Sequence, residues 1–348
     1  MGFVLFIMAV VWIIGHFIKT PNIVRITLIG VIYLAVLTIH ILLPPEAALR
    51  VNTGGSAAYW LILGSVVLMV WGYRNLLVKL RARHAVKNQA STTVSDDPFS
   101  DTELDRYARH IVLRDVGGLG QKRLKDAKVL VIGAGGIGSP VLLYLAAAGV
   151  GTIGVIDDDV VDNSNLQRQV LHTDGRIGMP KVFSAKDAMI AQNPHISVCP
   201  YNRRLNKDMA TELFAEYDLI LDGSDNFDTR YLVNATCVSV GKPLISGAMT
   251  QWEGQISIYD PANDAPCFQC IFPTAPAPEL APSCSAAGVI GPLPGVIGSM
   301  MALEAIKEIT KAGEGLRGRM LIYDALYSET RTIKLNKRAD CPCCGARF

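Results

Sequence analysis

No cysteine occurs before Cys199, and from residue 1 to residue 73 only Lys19, Arg25, Glu46 and Arg50 carry charge. The first absence leaves no disulfide framework in that part of the chain. The second excludes an ordinary water-facing surface there. Charge of one sign is missing too: 33 Lys and Arg stand against 31 Asp and Glu, for a net charge of +2. No long basic block interrupts the balance beyond one cluster after residue 73, so nothing points to nucleic acid. The chain shows no internal repeat. What it has in excess is apolar residues, 50% of the total with only 18% charged. That excess lies mostly at the N-terminus.

Residues 2–18, 23–43 and 57–73 are three apolar stretches. A helix needs roughly 20 such residues to span a bilayer. The first is short enough for a signal peptide, but it lacks a positive leading region and a clear cleavage site, and two more stretches follow. Phe6 stands where a myristoylation motif wants Ser or Thr. The sequence therefore predicts three transmembrane helices within residues 1–80. Arg74, Lys79, Arg81, Arg83 and Lys87 follow the third stretch, and Lys19 and Arg25 lie between the first and second. By the positive-inside rule the N-terminus faces out and the rest of the chain faces the cytoplasm. The expected location is the cytoplasmic membrane. Residues 81–99 read as a linker, polar and without hydrophobic periodicity from Asn88 to Pro98.

From residue 100 onward the pattern changes. Ser100 and Glu103 have the spacing of a capping box that opens a helix carrying Arg106, Tyr107, Arg109 and His110. A second short helix near residues 121–125 leads into the apolar run of residues 129–132. Gly133, Gly135, Gly136 and Gly138 follow at once, and a helical pattern comes after. Strand, glycine turn and helix in that order make a nucleotide-phosphate site, because glycines let backbone N–H groups approach a phosphate at a helix N-terminus. The next strand, residues 152–156, ends in Asp157, about 20 residues past the last glycine, where a carboxylate accepts from a ribose. Asn165, Gln167 and Arg168 follow that strand end, where ligands collect in open α/β sheets. Lys181 sits at a helix start just after Pro180. Asp222, Asp225 and Asn226 close a later strand, YDLIL. Further strands are predicted near residues 196–200, 243–247, 255–259, 320–323 and 330–335. Helices are predicted over 207–215, 226–240 and 297–311. This alternation predicts an α/β fold, a Rossmann-like mostly parallel sheet with an antiparallel extension.

Alone, the glycine turn suits NAD or FAD as readily as ATP. Arg109, Arg168 and Lys181 are three cations that can gather around it; a dinucleotide needs no such excess, whereas a triphosphate that must release pyrophosphate does. Asp225 can hold Mg2+ on those phosphates. The chemistry at the C-terminal end is different. Cys267 and Cys270 form one CxxC pair, and Cys341 and Cys344 form another. Two such pairs complete a four-cysteine zinc site that would pin the tail to the domain. An iron–sulfur cluster or redox dithiols remain open, and Cys343 leaves the register of the second pair ambiguous. Cys199 and Cys237 read as core residues. Cys284, in PSCSAAGVIGP, reads either as a reactive thiol near a helix start or as a small residue without chemistry.

Taken together, RYARHI (106–111), GAGGIG, IDDDVVDNSNLQRQ, GMPK, DGSDNFDTRYLVN and the paired CxxC resemble the MoeB/ThiF/HesA adenylyltransferases, bacterial relatives of ubiquitin-activating enzymes. The resemblance covers about residues 100–345. It implies an enzyme that uses ATP and Mg2+ to adenylate the C-terminal Gly-Gly carboxylate of a small ubiquitin-like sulfur carrier. It also implies roles for particular residues. Asp157 would bind ribose, the glycines the nucleotide, Asn165, Arg168 and Lys181 the phosphates, and Asp225 magnesium. Arg109 would reach into a partner subunit's site, which makes a homodimer. Residues 274–287 resemble a crossover loop over the carrier tail, and Cys284 stands where some members carry a reactive cysteine. The expected carrier is MoaD-like, for molybdenum cofactor synthesis; a ThiS-like carrier for thiamine synthesis is the alternative. A membrane-anchored NAD- or FAD-dependent oxidoreductase and a non-enzymatic scaffold that recruits a carrier are the competing readings. The chain departs from the family pattern in its N-terminal apolar region.

Overall fold

The computed structural model describes residues 1–18, 20–54, 56–90, 98–276 and 288–345. The chain divides into two compact units, Met1–Asp96 and Asp97–Phe348.

The first unit is helical: α1 (Gly2–Phe17), α2 (Asn22–Leu42), α3 (Ala48–Gly54) and α4 (Ala57–Ala90). Helix α4 continues past the apolar stretch of residues 57–73 and through the basic cluster, so residues 81–90 are helical. Val4, Val36 and Trp60 form a small buried cluster, and the Tyr33 hydroxyl donates to the Trp60 carbonyl at 2.7 Å. Among the described residues, two helices are long and apolar enough to cross a membrane, over Val24–Leu42 and Ala57–Leu76. That corrects the expected three. Helix α1 has 16 residues. At about 1.5 Å per residue it reaches roughly 24 Å, short of a hydrocarbon core of about 30 Å.

The second unit contains one eight-stranded sheet, ordered β3-β2-β1-β4-β5-β6-β7-β8. The strands are β1 (Lys128–Ile132), β2 (Thr152–Ile156), β3 (Ser197–Tyr201), β4 (Leu219–Asp222), β5 (Leu244–Thr250), β6 (Glu253–Tyr259), β7 (Arg319–Asp324) and β8 (Glu329–Lys334). β1 to β5 pair parallel. β5 to β8 pair antiparallel, in register Ile245↔Ile258 and Ile256↔Leu321. Around the sheet lie α5 (Asp101–Ile111), α6 (Gly117–Asp126), α7 (Gly138–Ala148), α8 (Lys181–Gln192), α9 (Lys207–Ala215), α10 (Phe227–Val240), α11 (Phe268–Ile271) and α12 (Pro292–Thr310).

Alternation within β1 makes the two layers. Val129 and Val131 join one core cluster with Leu142, Leu145, Val182, Met189 and Ile297. Leu130 and Ile132 join the opposite one with Phe214, Ile220, Val233 and Phe268. Each of these fully buried aliphatic side chains contributes about 1.5–3 kcal/mol relative to exposure. The expected capping box is present: Ser100 Oγ accepts from the Glu103 N–H, and Glu103 Oε2 accepts from the Ser100 N–H at 2.9 Å.

Strand order reverses between β1 and β4, because β2 and β3 lie to one side of β1 and β4 and β5 to the other. In open α/β sheets a ligand binds in the crevice at the carboxyl ends of the strands at such a switch point.

Candidate active site

A cleft of about 590 Å³ opens at that switch point. Its walls include Gly133, Gly135, Gly136, Asp157, Asn165, Arg168, Lys181, Asp225 and Asn226. Residues from five separate segments of the chain therefore converge on one cavity, of a size that suits a nucleotide-like ligand.

The glycines have different physical reasons. Gly133 has φ of 93°, a left-handed conformation that turns the chain sharply out of β1. A Cβ on Gly135 would meet only Gln169 Nε2, at 3.7 Å. A Cβ on Gly138 would lie 2.0 Å from the Gly133 carbonyl oxygen. Gly138 is absent from the cleft wall, and its role is the close packing of α7 against the turn.

Asp157 does not stand free at the end of β2. One carboxylate oxygen accepts from the Ala134 N–H at 2.7 Å, and the other from the Asp159 N–H at 2.8 Å. Burial pushes its pKa up; the Lys181 ammonium and the two N–H donors pull it back only in part. Lys181, the first residue of α8, is buried and pairs with Asp159 at 2.7 Å.

Residues 165–169 form a helical turn in which the Arg168 and Gln169 N–H groups both donate to the Asn165 carbonyl. Positions i, i+3 and i+4 of such a turn share a face. Asn165, Arg168 and Gln169 accordingly face the cleft, while Gln167 is exposed and lies outside the cleft lining. Asn165 Oδ1 accepts from Arg168 Nη2 at 2.7 Å and aims the guanidinium. At the end of β4, Asp222 is buried and accepts from the Ser224 N–H at 2.9 Å, which shapes the turn that presents exposed Asp225. Asn226 caps α10 by accepting from the Thr229 N–H at 2.9 Å. Arg230 lies 7% exposed beneath this turn and donates to the Ser224 carbonyl and to Ser246 Oγ. Arg109 is exposed on α5 and is not among the cleft's lining residues.

The cleft also holds residues that sequence reasoning missed: Gln169, Arg203, Arg204, Ser224, Glu253 and Gln255. Gln169 could have been found from its i+4 spacing to Asn165. Arg203 and Arg204 follow β3, and only its pairing beside β2 brings them to the site.

A second cluster lies elsewhere. Cys267, Cys270, Cys341 and Cys344 are all buried, with their sulfurs within 4.8 Å of one another. The separations are 3.9 Å for Cys267–Cys270, 3.6 Å for Cys267–Cys341 and 3.4 Å for Cys270–Cys344. Four thiolates about 2.3 Å from a tetrahedral zinc lie about 3.8 Å apart, so the donor set fits a metal. The register ambiguity resolves in favour of Cys344, since Cys343 is not one of the four and instead accepts from Asn234 Nδ2 at 3.3 Å. Cys199 and Cys237 are free thiols, Cys237 buried. Cys284 and most of the crossover segment 274–287 lie outside the described residues.

The fold and cleft define a nucleotide-binding α/β domain of the Rossmann type with an added antiparallel wing. The chain belongs to the ThiF family, whose profile matches residues 107–343. It is an adenylyltransferase of the MoeB/ThiF type, and the NAD- or FAD-dependent reading of the glycine turn falls away. Among its relatives is the SAMP-activating enzyme E1 of Haloferax volcanii, 48% identical over 244 residues, which are 70% of this chain and 90% of that one. The sulfur carrier protein adenylyltransferase of Thermus thermophilus is 48% identical over 251 residues, 71% and 93% of the two chains. The probable adenylyltransferase/sulfurtransferase MoeZ of Mycobacterium tuberculosis is 51% identical over 249 residues, 70% of this chain and 63% of MoeZ. Against MoeZ the chain therefore spans less than two-thirds of the relative's length. Among solved structures, E. coli MccB with ATP superposes with a TM-score of 0.61 at 26% identity, over 69% of this chain and 74% of MccB.

Proposed function

We propose that this protein adenylates the C-terminal Gly-Gly carboxylate of a small ubiquitin-like sulfur carrier. The observation that carries this reading is the convergence of Arg168, Lys181 and Asp225 on the glycine turn in a chain about half identical to named adenylyltransferases. One carboxylate oxygen of the carrier attacks the α-phosphorus of ATP, the bond from that phosphorus to the bridging oxygen breaks, and pyrophosphate leaves with the electron pair. The protein contributes position and charge rather than a nucleophile. Asn165 holds Arg168 on the phosphates. Lys181 exchanges Asp159 for a phosphate oxygen. The glycine-turn N–H groups and Asp157 seat the nucleotide. Asp225 is the residue placed to hold Mg2+, which neutralises phosphate charge when bound. Zn2+ at the four cysteines has a structural role, tying the C-terminal tail to α11.

The preferred carrier is MoaD-like, in molybdenum cofactor synthesis, with a ThiS-like carrier as the alternative. Arg109, exposed and outside the lining of its own cleft, suits a homodimer in which it enters the partner's site. Two apolar helices and the basic residues that follow support anchoring in the cytoplasmic membrane with the catalytic unit on the cytoplasmic side. Pyrophosphate exchange into ATP, driven by MoaD-like and ThiS-like carriers in parallel, tests the reading. Exchange with neither carrier rejects it, and the faster one identifies the pathway. Arg168→Ala should lower exchange by roughly 10²–10³-fold with folding intact.

A further inference from the structure

Ala134, inside the glycine turn, is held at both ends. Its N–H donates to Asp157 Oδ2 at 2.7 Å. Its carbonyl oxygen lies 2.9 Å from His172 Nε2, and the other ring nitrogen of His172 lies 2.9 Å from Ser184 Oγ. A carbonyl can only accept, so Nε2 carries the proton, and in the neutral ring Nδ1 accepts from the Ser184 hydroxyl. Burial keeps the ring neutral, helped by the nearby Lys181 and Arg176 charges and opposed by the Ala134 carbonyl. Ser184 lies one turn along α8 from Lys181. Lys181 returns to Asp159 through its ammonium at 2.7 Å and through its N–H to the Asp159 carbonyl at 2.9 Å. Asp159 donates its N–H to Asp157 at 2.8 Å.

These contacts close a ring: Ala134, Asp157, Asp159, Lys181, Ser184, His172 and back to Ala134. The ring joins the glycine turn to the helix end that carries Lys181, two elements far apart in sequence. Every other link involves backbone or a residue that also lines the cleft. His172 is 5% exposed, is not in the cleft wall, and hydrogen-bonds both the turn and α8.

We propose that His172 is a positioning residue for ATP, which sets the distance between the glycine turn and Lys181 through its bonds to the Ala134 carbonyl and Ser184. The proposal rests on the cleft being the ATP site. A device that holds both elements acts on the ground state and the transition state alike, so it changes KM for ATP and leaves kcat in place.

The test uses the full chain in detergent, ATP binding by calorimetry without carrier, and pyrophosphate exchange with carrier. In His172→Gln the amide nitrogen reaches the Nε2 position and keeps the bond to Ala134; in His172→Leu both bonds are lost. Loss of the clamp should raise Kd and KM for ATP roughly tenfold in His172→Leu, the scale of one hydrogen bond, with kcat and the carrier KM unchanged. His172→Gln should stay within about threefold of wild type, and Ser184→Ala should fall between them, a second reading should His172→Leu fail to fold. Wild-type affinity in a folded His172→Leu, or equal impairment in His172→Gln and His172→Leu, overturns the positioning role and leaves the reading of the cleft standing. No ATP binding by the wild type overturns both.

Discussion

The helical unit and the α/β unit place apolar side chains in opposite ways. In the α/β unit Leu130, Leu145, Ile153 and Ile220 are fully buried. In the helical unit Phe6, Leu34, Leu68, Met69 and Trp71 are all at least 60% exposed. On a water-soluble surface so large an apolar patch would drive association. In hydrocarbon the same surface is solvated, and the cost moves to polar groups instead. In the helical unit the Arg25 guanidinium donates twice to the Thr20 carbonyl and lies 5.0 Å over the Trp12 ring, whereas His40 Nδ1, Arg50 Nε and Trp60 Nε1 are buried with no hydrogen-bond partner among the described residues. In the α/β unit buried Arg230 is satisfied by the Ser224 carbonyl. Buried Arg25 and Arg230 are thus each satisfied by a backbone carbonyl, while the two units place their apolar side chains oppositely.

Five substitutions test this contrast. The largest effect is expected in the α/β unit at the cysteine cluster. Cys270→Ser should lose one bound zinc per chain and more than about 4 kcal/mol of stability, read by metal analysis and thermal unfolding. A melting temperature unmoved by metal removal would show that apolar packing alone holds that end of the unit. Next, Leu130→Ala should cost about 2–5 kcal/mol, since Leu130 is buried on the face shared with Phe214 and Ile220. Leu34→Ala, with Leu34 60% exposed, should be nearly silent by the same unfolding assay.

Leu34→Arg carries the contrast into the helical unit. Within a membrane span it should raise the apparent insertion free energy by about 3 kcal/mol. The readout is the fraction of chain that resists alkaline extraction from membranes. Unchanged retention would mean that this face of α2 does not meet lipid.

A smaller effect concerns pH. Burial alone would raise the pKa of Glu103, but the Lys125 ammonium and the Ser100 N–H and hydroxyl outweigh it, and the net shift is downward. A carboxylate held lower in the folded state adds stability above its ordinary range and loses it as pH falls through the folded value. Glu103→Gln should therefore cost about 1 kcal/mol at neutral pH. Its thermal midpoint should converge on that of wild type as the solution becomes acidic. A constant difference down to acid pH would assign the loss to packing rather than charge.

Continuous apolar runs located β1, β2 and β4 to within a few residues, because burial on both faces of a parallel sheet imposes them. The capping box at Ser100 was readable, as local hydrogen bonding requires only three residues of separation. Position after a strand end points Gln167 at the cleft, yet the helical turn at 165–169 sends Gln169 there instead. Helix α1 has the composition of a span without the length.

The sequence by itself determined the nucleotide turn, the paired CxxC and the change from an apolar region to an α/β domain. Each of these is a local pattern whose physics lies within about a turn or a strand. Tertiary structure decided what depends on distant residues meeting. Strand pairing brought Arg203 and Arg204 beside Asp157. Chain folding, not spacing, chose Cys344 over Cys343. His172 came between Ala134 and Ser184 only because α8 packs against α7 and β3, and no periodicity along the chain encodes a hydrogen bond across 38 residues.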